Sequence, residues 1–523
     1  MVRSTFTSFY TANSAINASQ RGLDVTGQNI ANANTRGYSR QRVDLYSLSP
    51  TGIRQKYALT SPSCGSGVGV GSISQARDPY LDIRFRTEQS DFYSTASQLD
   101  SLKQLENIFN DVTGQGLTQK MEDLIAKLQS LSLDPTSPEL SMLFRSSAGE
   151  FCNLLNNYAN QLEQTKDLTI KTFEESEVRK ANQLLENIAL INQQINQNQL
   201  HNVGTNELMD HRNLMLDELS SYLKIETLSS TEVLSNGTSL TKLTVNLLCA
   251  DGTKLNLVND DQFTNLNFKF DETTQKASIE LVQVVDPKDP SKNVSLGDIE
   301  DQISTGSVKG FLNFINSAGI YDTPPNEVRG IRYYEEMLNT MASTFANVFN
   351  QANELGDGTK RPLFAASDDK SNLDPSNITA KNITIAAGWL SNDYGITTTK
   401  TAAPDASGLN DNILNMISLF SKEMDFTTGA GSSVYKGSLL NFFSFTTATL
   451  ATDINNMDKL VETREIVLSN IESDRLSISS VSLDEEAMNM MMFQKSYNAA
   501  ARYMTTIDQA LDTIINGMGL VGK

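Results

Sequence analysis

Residues 482–517 read SLDEEAMNMMMFQKSYNAAARYMTTIDQALDTIING. Met490, Phe493, Tyr497, Ala500, Met504, Ile507, Leu511 and Ile514 follow one another in steps of three and four. That spacing lays apolar side chains along one face of a helix. Ser482 stands three residues before Glu485, the pattern of a capping box. The stretch therefore predicts a helix from about Leu483 to Gly517, with a seam suited to a coiled coil and too narrow for a fully buried core helix. The other end of the chain mirrors it. Val2, Phe9, Ile16, Leu23 and Ile30 recur at intervals of seven, with Ala12 and Thr26 on the intervening seam. The remaining positions are Ser, Asn, Gln and Thr, so few ion pairs support this helix in isolation. Gly37 is its stop signal. Either stripe alone would suit a bundle core. Two narrow seams at the two ends instead predict that the first helix pairs with the last, and that both pack against neighbouring copies.

Proline maps the rest. All 12 prolines lie between Pro50 and Pro404. Proline costs about 3 kcal/mol inside a helix, so both ends are free to form long helices and the breaks fall in the middle. Residues 51–80 are rich in Gly and Ser, but their glycines fit neither a GxxxxGK[ST] nor a GxGxxG phosphate loop. Val68, Val70 and Ile73 read as a short extended hairpin. Leu117, Met121, Leu124, Leu128 and Leu131 mark a helix, and Ser137-Pro138-Glu139 starts another with proline at N1. From Leu140 to Ile195 the helical pattern runs almost unbroken.

After Lys224 the period changes to two. Lys242–Cys249 and Lys254–Val258 flank the turn signal Asp251-Gly252, and Leu266, Phe268 and Phe270 alternate. A helical stripe returns near Glu327 with Tyr334, Leu338, Met341, Phe345, Val348, Ala352 and Leu355, ending at Gly356, and another runs from Leu439 to Leu460. The expected fold class is mainly α with inserted β: paired terminal coiled-coil helices, a long helical rod domain and a small antiparallel β domain. The expected division is 1–50 with 483–523 for the coiled-coil pair, and 51–224, 326–356 and 411–482 for the rod. Residues 225–325 form the β insert and 357–410 a mixed loop and strand insert.

Composition limits the functions. The 523 residues contain 42 Lys+Arg and 62 Asp+Glu, a net charge of −20. Nucleic acid and anionic lipid both demand a basic face, so neither is an expected partner. No apolar run is long enough to insert in a membrane, and Met1-Val2-Arg3-Ser4-Thr5 lacks the apolar core of a secretory signal. The expectation is a cytosolic protein, or one exported without a cleaved signal. His201 and His211 are ten apart, unlike the i, i+4 pair of a zinc helix. Cys64, Cys152 and Cys249 make neither a disulfide framework nor a zinc site. Asp484-Glu485-Glu486 are explained by a helix start, which favours negative charge. Met488, Met490, Met491 and Met492 read as adaptable packing rather than metal ligands. No catalytic, metal or cofactor site is expected.

The motifs at the two ends resemble a known family. Asn29-Ile30-Ala31-Asn32-Ala33-Asn34-Thr35-Arg36-Gly37-Tyr38 is similar to the N-terminal signature of the bacterial flagellar rod, hook and hook-associated proteins. Ser39-Arg40-Gln41 is similar to its hook–filament junction members. Ser477–Glu486, with Leu483, Asp484, Glu485 and Glu486, and the run Phe493-Gln494 to Arg502 resemble the C-terminal signature. Asn206–Leu219 and Gly65–Arg86 resemble internal segments. Arg36 stands where the family commonly has Pro, and Ser480 where it commonly has Gly.

The resemblance implies a non-enzymatic structural subunit of the extracellular flagellum, exported by the flagellar type III apparatus. It implies self-association in a ring-like zone, contact with the hook protein and with a second junction protein, and a cytosolic export chaperone on the C-terminal helix. Other readings remain: a hook, distal-rod or second junction subunit, an enzyme carried in the insert, or a coiled-coil adhesin.

Overall fold

The structure, a computed structural model, describes residues 5–48, 65–109, 116–201, 203–235, 239–286, 289–367, 377–400, 408–428 and 431–517. Val2, Cys64 and Pro287 lie outside these residues. Helix α1 (Thr5–Ala31) is followed by β1 (Gln41–Ser47), β2 (Val68–Gln75) and α2 (Pro79–Phe109). A run of helices follows: α3 (Leu117–Leu133), α4 (Pro138–Thr172), α5 (Arg179–Leu200) and α6 (Asn206–Tyr222). The β insert holds β3 (Ile225–Val233), β4 (Ser239–Leu248), β5 (Lys254–Asn259), β6 (Gln262–Asp271), β7 (Lys276–Gln283) and β8 (Val294–Asp298). The chain then returns through α7 (Ser307–Asn316) and α8 (Ile331–Ala352). A smaller insert carries β9 (Phe364–Ala366), β10 (Ile383–Ile385) and α9 (Ala387–Leu390). The last elements are α10 (Asp411–Leu419), β11 (Met424–Thr427), β12 (Ser433–Gly437), α11 (Leu439–Ser479) and α12 (Leu483–Asp512). The chain is mainly helical with small antiparallel sheets, the expected class.

The rod core is built where the sequence stripes meet. Leu117, Met121, Leu124, Leu128 and Leu131 of α3 are fully buried against α4. Ser137 caps α4 by accepting from the Leu140 amide at 3.3 Å, with Pro138 inside the first turn. Aromatic rings lock the helices together: Phe151 lies 4.6 Å from Phe345, and Phe349 lies 5.0 Å from Phe420. Cys152 is buried in this core, and burial pushes its thiol up. It is a small packing residue there. The long stripe from Leu140 to Ile195 is two helices joined by a π-helical segment, Phe173–Val178. Its wider turn keeps both Phe173 and Val178 buried.

The β insert is one six-stranded antiparallel sheet in sequence order, β3 to β8. Asp251-Gly252 turns β4 into β5, with Gly252 in the left-handed region at φ +82°. The inner face of the sheet, with Val245, Leu257, Leu266 and Ile279, is buried in the same apolar core as Leu185 and Ile188 of α5, and asparagine amides of the helices also pair with strand and turn backbone. Asn182 donates to the Leu266 carbonyl at 2.8 Å and accepts from its amide at 2.7 Å. Asn316 does the same with Ala277, both bonds at 2.7 Å. Asn192 donates to the Asp260 carbonyl at 2.8 Å.

Three local readings need correction. Strand β2 does not turn back within 51–80; it pairs with β1, from Gln41 opposite Gln75 to Ser47 opposite Val68. The hairpin therefore begins inside the stretch assigned to the coiled-coil pair, because Val43 needs an apolar cross-strand partner and finds Ile73. The helix placed between about Glu327 and Gly356 runs from Ile331 to Ala352. The helical stretch from 411 is interrupted by the β11–β12 hairpin, whose Phe426 lies 4.4 Å from Phe442.

Helices α1 and α12 pack side by side along their lengths. On α12 the shielded side is the expected seam: Ala500 and Ile507 are buried, and Phe493, Tyr497, Met504 and Leu511 are half-buried. On α1 the most buried side keeps Ala12 and Thr26 of the expected seam and continues through Ser19, Gly22 and Asn29, with Ala18 and Val25 beside it. Small residues let the helices approach closely. A Cβ on Gly22 would stand 2.5 Å from the Phe493 ring. The row of larger residues flanks this contact: Ile16, Leu23 and Ile30 are half-buried and Phe9 is 36% exposed.

Two glycines of α1 give opposite expectations. Gly22→Val should separate α1 from α12, seen as faster proteolysis within residues 5–31. Gly27 has open space around its Cβ position, so Gly27→Ala should slow that proteolysis, in line with about 1 kcal/mol of helix propensity.

Candidate functional site

The residues of the N-terminal motif gather where α1 ends, α12 begins and the rod starts. Asn29, 1% exposed, sits in the last turns of α1. Its amide donates to the Gln41 carbonyl at 2.8 Å, and its carbonyl accepts from the Gln41 amide at 2.9 Å and from the Tyr38 hydroxyl at 2.8 Å. One side chain thus folds the motif back on the helix it leaves. Ile30 is half-buried and Ala31 ends the helix exposed. Asn32 donates to the Gln28 carbonyl at 3.0 Å and accepts from the Thr35 hydroxyl at 3.2 Å, closing the turn. Asn34, Thr35 and Arg36 are exposed on it. Gly37 follows at φ +82°, a conformation that other residues adopt only with strain.

Ser39, Arg40 and Gln41 then point to three different partners. Ser39 is buried. Its hydroxyl donates to Asp210 Oδ1 at 2.6 Å, and its amide to Oδ2 at 3.1 Å. Gln41 reaches Glu207 at 3.4 Å, and Gln28 reaches the same carboxylate at 3.2 Å. Arg40 crosses to the other end of the chain. Its amide donates to the Ser479 carbonyl at 2.9 Å. Its guanidinium contacts Glu485 at 2.7 Å and Glu486 at 2.8 Å. Ser482 does cap α12, accepting from the Glu485 amide, but Glu485 turns to Arg40 instead of closing the capping box. Ser480 joins α11 to α12 at φ −75°, ψ 156°. This is extended backbone that serine adopts without strain.

Behind this lies a second ionic layer that the sequence reading did not single out. Arg77 pairs with Asp82 at 3.0 Å and stands 3.6 Å from Asp210. Arg86 pairs with Asp217 at 2.8 Å. Arg475, from α11, bridges the two: its Nε is 2.7 Å from Asp82 and its Nη2 bonds Asp217. Its guanidinium also lies 4.7 Å over the Phe85 ring. These charges are largely removed from water, so each depends on its partners. Burial disfavours the charge of Asp82, yet Arg77, Arg475 and Arg86 hold its carboxyl below the usual range. Burial outweighs the Ser39 bonds and Arg77 at Asp210, whose carboxyl is raised. Burial, with Asp210, Glu207 and Glu486 nearby, pushes the Tyr38 phenol up to about 12.

Other motif residues lie apart from this hub. Leu483 and Asp484 are exposed in the first turn of α12, and Gln494 and Arg502 are exposed farther along it. Among the assembly residues, Met490 and Ile514 are exposed at the two ends of the seam. His201 ends α5 and His211 lies on α6, both exposed. Among the described residues no group of three or more His, Cys, Asp or Glu is placed to hold a metal ion. No described helix is long and apolar enough to cross a membrane.

The hub makes two expectations. Arg475→Ala leaves Asp82 to Arg77 and Asp217 to Arg86, so it should destabilise the chain by less than the about 3–5 kcal/mol of stranding a buried charge, measured by denaturant unfolding. Asp82 has a lowered pKa in the folded state, so its contribution is full above the ordinary carboxylate range and is lost as pH falls through the folded value. The stability gap between the parent and Asp82→Asn should therefore be large at pH 7 and shrink on acidification.

Comparison with known proteins agrees with this architecture. The family model described as the Flagellar hook-associated protein FlgK helical domain matches residues 102–364, just over half the chain. The Flagella basal body rod protein model matches 9–38, and the Flagellar basal body rod FlgEFG protein C-terminal model matches 472–517. Flagellar hook-associated protein 1 of Bacillus subtilis is 29% identical over 99% of this chain and 100% of its own length. Its counterpart in Escherichia coli is 23% identical over 97% and 98%. The structure of the flagellar hook junction protein FlgK from Burkholderia pseudomallei superposes with a TM-score of 0.55 at 12% identity. It covers 76% of this chain and all of its own, and so shares the fold. With its central helical domain, both flanking motifs and the hub that joins them, this chain belongs to the flagellar hook-associated protein FlgK family.

Proposed function

We propose that this chain is a structural subunit of the bacterial flagellum at the junction between hook and filament, assembled through α1 and α12. The observation that carries this reading is the match along nearly the whole chain to relatives named flagellar hook-associated protein 1. The geometry supports it. Helices α1 and α12 pair with each other yet leave Phe9, Met490, Met492 and Ile514 exposed, apolar surface that needs further burial. The first and last stretches of the chain form the inner unit, the rod stands beyond it, and the β insert forms an outer unit. The partners on this reading are neighbouring copies, the hook protein, a second junction protein and, before export, a cytosolic chaperone covering the C-terminal helix. The protein works by contact rather than catalysis. Its −20 charge keeps an association-prone subunit soluble until it is placed.

Deletion of 483–523 should abolish filament attachment in a strain lacking its own junction protein, with the truncated chain failing to assemble. Filament growth supported by the truncated chain would sink this account. Arg40→Ala should weaken attachment without unfolding the rod, read as more shed filament at unchanged far-UV helicity.

A further inference from the structure

Sulfur is unevenly exposed in this chain. Cys152 and Cys249 are buried, and Met121, Met337, Met341 and Met416 are fully buried in the rod core. Among the described residues the exposed methionines are Met142 on α4 and a group within five positions of α12. Met488, Met491 and Met492 are 59%, 54% and 53% exposed, and Met490 is 37% exposed. At about 100° per residue, Met488, Met491 and Met492 lie roughly 100–160° round the helix from Phe493, so pairing with α1 leaves them open. Packing alone does not require sulfur at these positions, because leucine replaces methionine at nearly equal volume. What thioethers add is reactivity: an accessible methionine is oxidised to its sulfoxide, and the change is reversible.

We infer that Met488, Met491 and Met492 form an oxidation site, and that their conversion to sulfoxides by a peroxide withholds the free subunit from assembly. The inference rests on the junction reading and adds a regulation to it. In each step hydrogen peroxide gives one oxygen atom to a thioether sulfur. An S–O bond forms and the O–O bond breaks; sulfur loses two electrons to the peroxide, whose other oxygen leaves as water. A sulfoxide is polar and chiral where the thioether was apolar and flexible. Three of them on adjoining turns convert an apolar face into one that resists burial, since each oxygen needs a donor. The ionic hub around Arg475 and the corner held by Asn29 contain no sulfur, so oxidation changes the surface of α12 and leaves its attachment to the rod in place. A thiol-dependent methionine sulfoxide reductase reverses the step: two thiols become a disulfide and the oxygen leaves as water.

The test treats the purified full chain with hydrogen peroxide and maps the oxidised peptides by mass spectrometry. Met488, Met491 and Met492 should gain oxygen together with Met142 and well ahead of Met121, Met337 and Met341. Uniform oxidation, or none within 488–492 while Met142 reacts, would overturn the site. Binding to isolated hooks from a strain lacking its own junction protein gives the second readout. The oxidised chain should bind about tenfold less, as polar oxygens without donors oppose an apolar contact, at unchanged far-UV helicity. Treatment with a methionine sulfoxide reductase and dithiothreitol should restore binding. The Met488→Leu/Met491→Leu/Met492→Leu variant should bind like the parent and keep its binding after peroxide, whereas Met142→Leu should protect nothing. Full binding by the oxidised parent, or equal losses in the parent and the leucine variant, would overturn the inference. Replacing the same three methionines by Gln supplies a polar oxygen without any oxidant and should lower binding as oxidation does; binding at the parental level would count against the assembly effect. The two readings fail separately. A parent that binds no hooks before oxidation sinks the junction reading, and the peptide map still decides the oxidation site.

Discussion

Arg475 holds Asp82 and Asp217 together, and the rest of the architecture depends on that bridge. Its two carboxylates belong to α2 and α6, and it belongs to α11, so one guanidinium fixes three helices at the base of the rod. The geometry suits arginine, whose planar fork can face two carboxylates at once and still stack on Phe85. Arg77 and Arg86 satisfy the same acids from other directions. Burying this many charges is tolerable only because they alternate in sign and share partners. Such a cluster has few alternative arrangements, so it sets the direction in which the first and last helices leave the rod.

Arg40 transmits that direction. Its contact with Glu486 joins residues 446 positions apart. Glu486 is 2% exposed at the start of α12, where a carboxylate also answers the positive end of the helix. From the end of the helix, the Asn29 side chain satisfies both backbone groups of Gln41 on the strand and the Tyr38 hydroxyl between them. The motif therefore acts as a folded corner whose outer tip, Arg40, latches α12.

Much of this was legible in the sequence, for physical reasons. Ser482 had to cap a helix, Pro138 had to begin one, and the spacing from Phe493 to Leu511 admitted a single buried face. The row chosen on α1 was the harder case. Heptad spacing drew attention to Phe9, Ile16, Leu23 and Ile30 because they are large. The buried side joins Ala12 and Thr26 of the intervening seam to Ser19 and Gly22, which the spacing of large residues did not mark, and at Gly22 only the lack of a side chain lets the Phe493 ring approach the backbone. Size is the wrong measure where helices pack closely. Arg475 and Asp82 were hidden for another reason: an isolated charge on a helix looks solvated until tertiary structure supplies its partners. The pairing of β2 with β1 was equally invisible, because register across a long connection leaves no local trace.

The asparagine clasps that hold the six-stranded sheet touch its main chain. Asn182, Asn192 and Asn316 recognise carbonyls and amides that every residue possesses. Replacing side chains on the outward side of β3–β8 leaves those clasps intact. The outer surface of the insert can therefore diverge quickly between lineages, while its inner face and the rod beneath it stay under constraint.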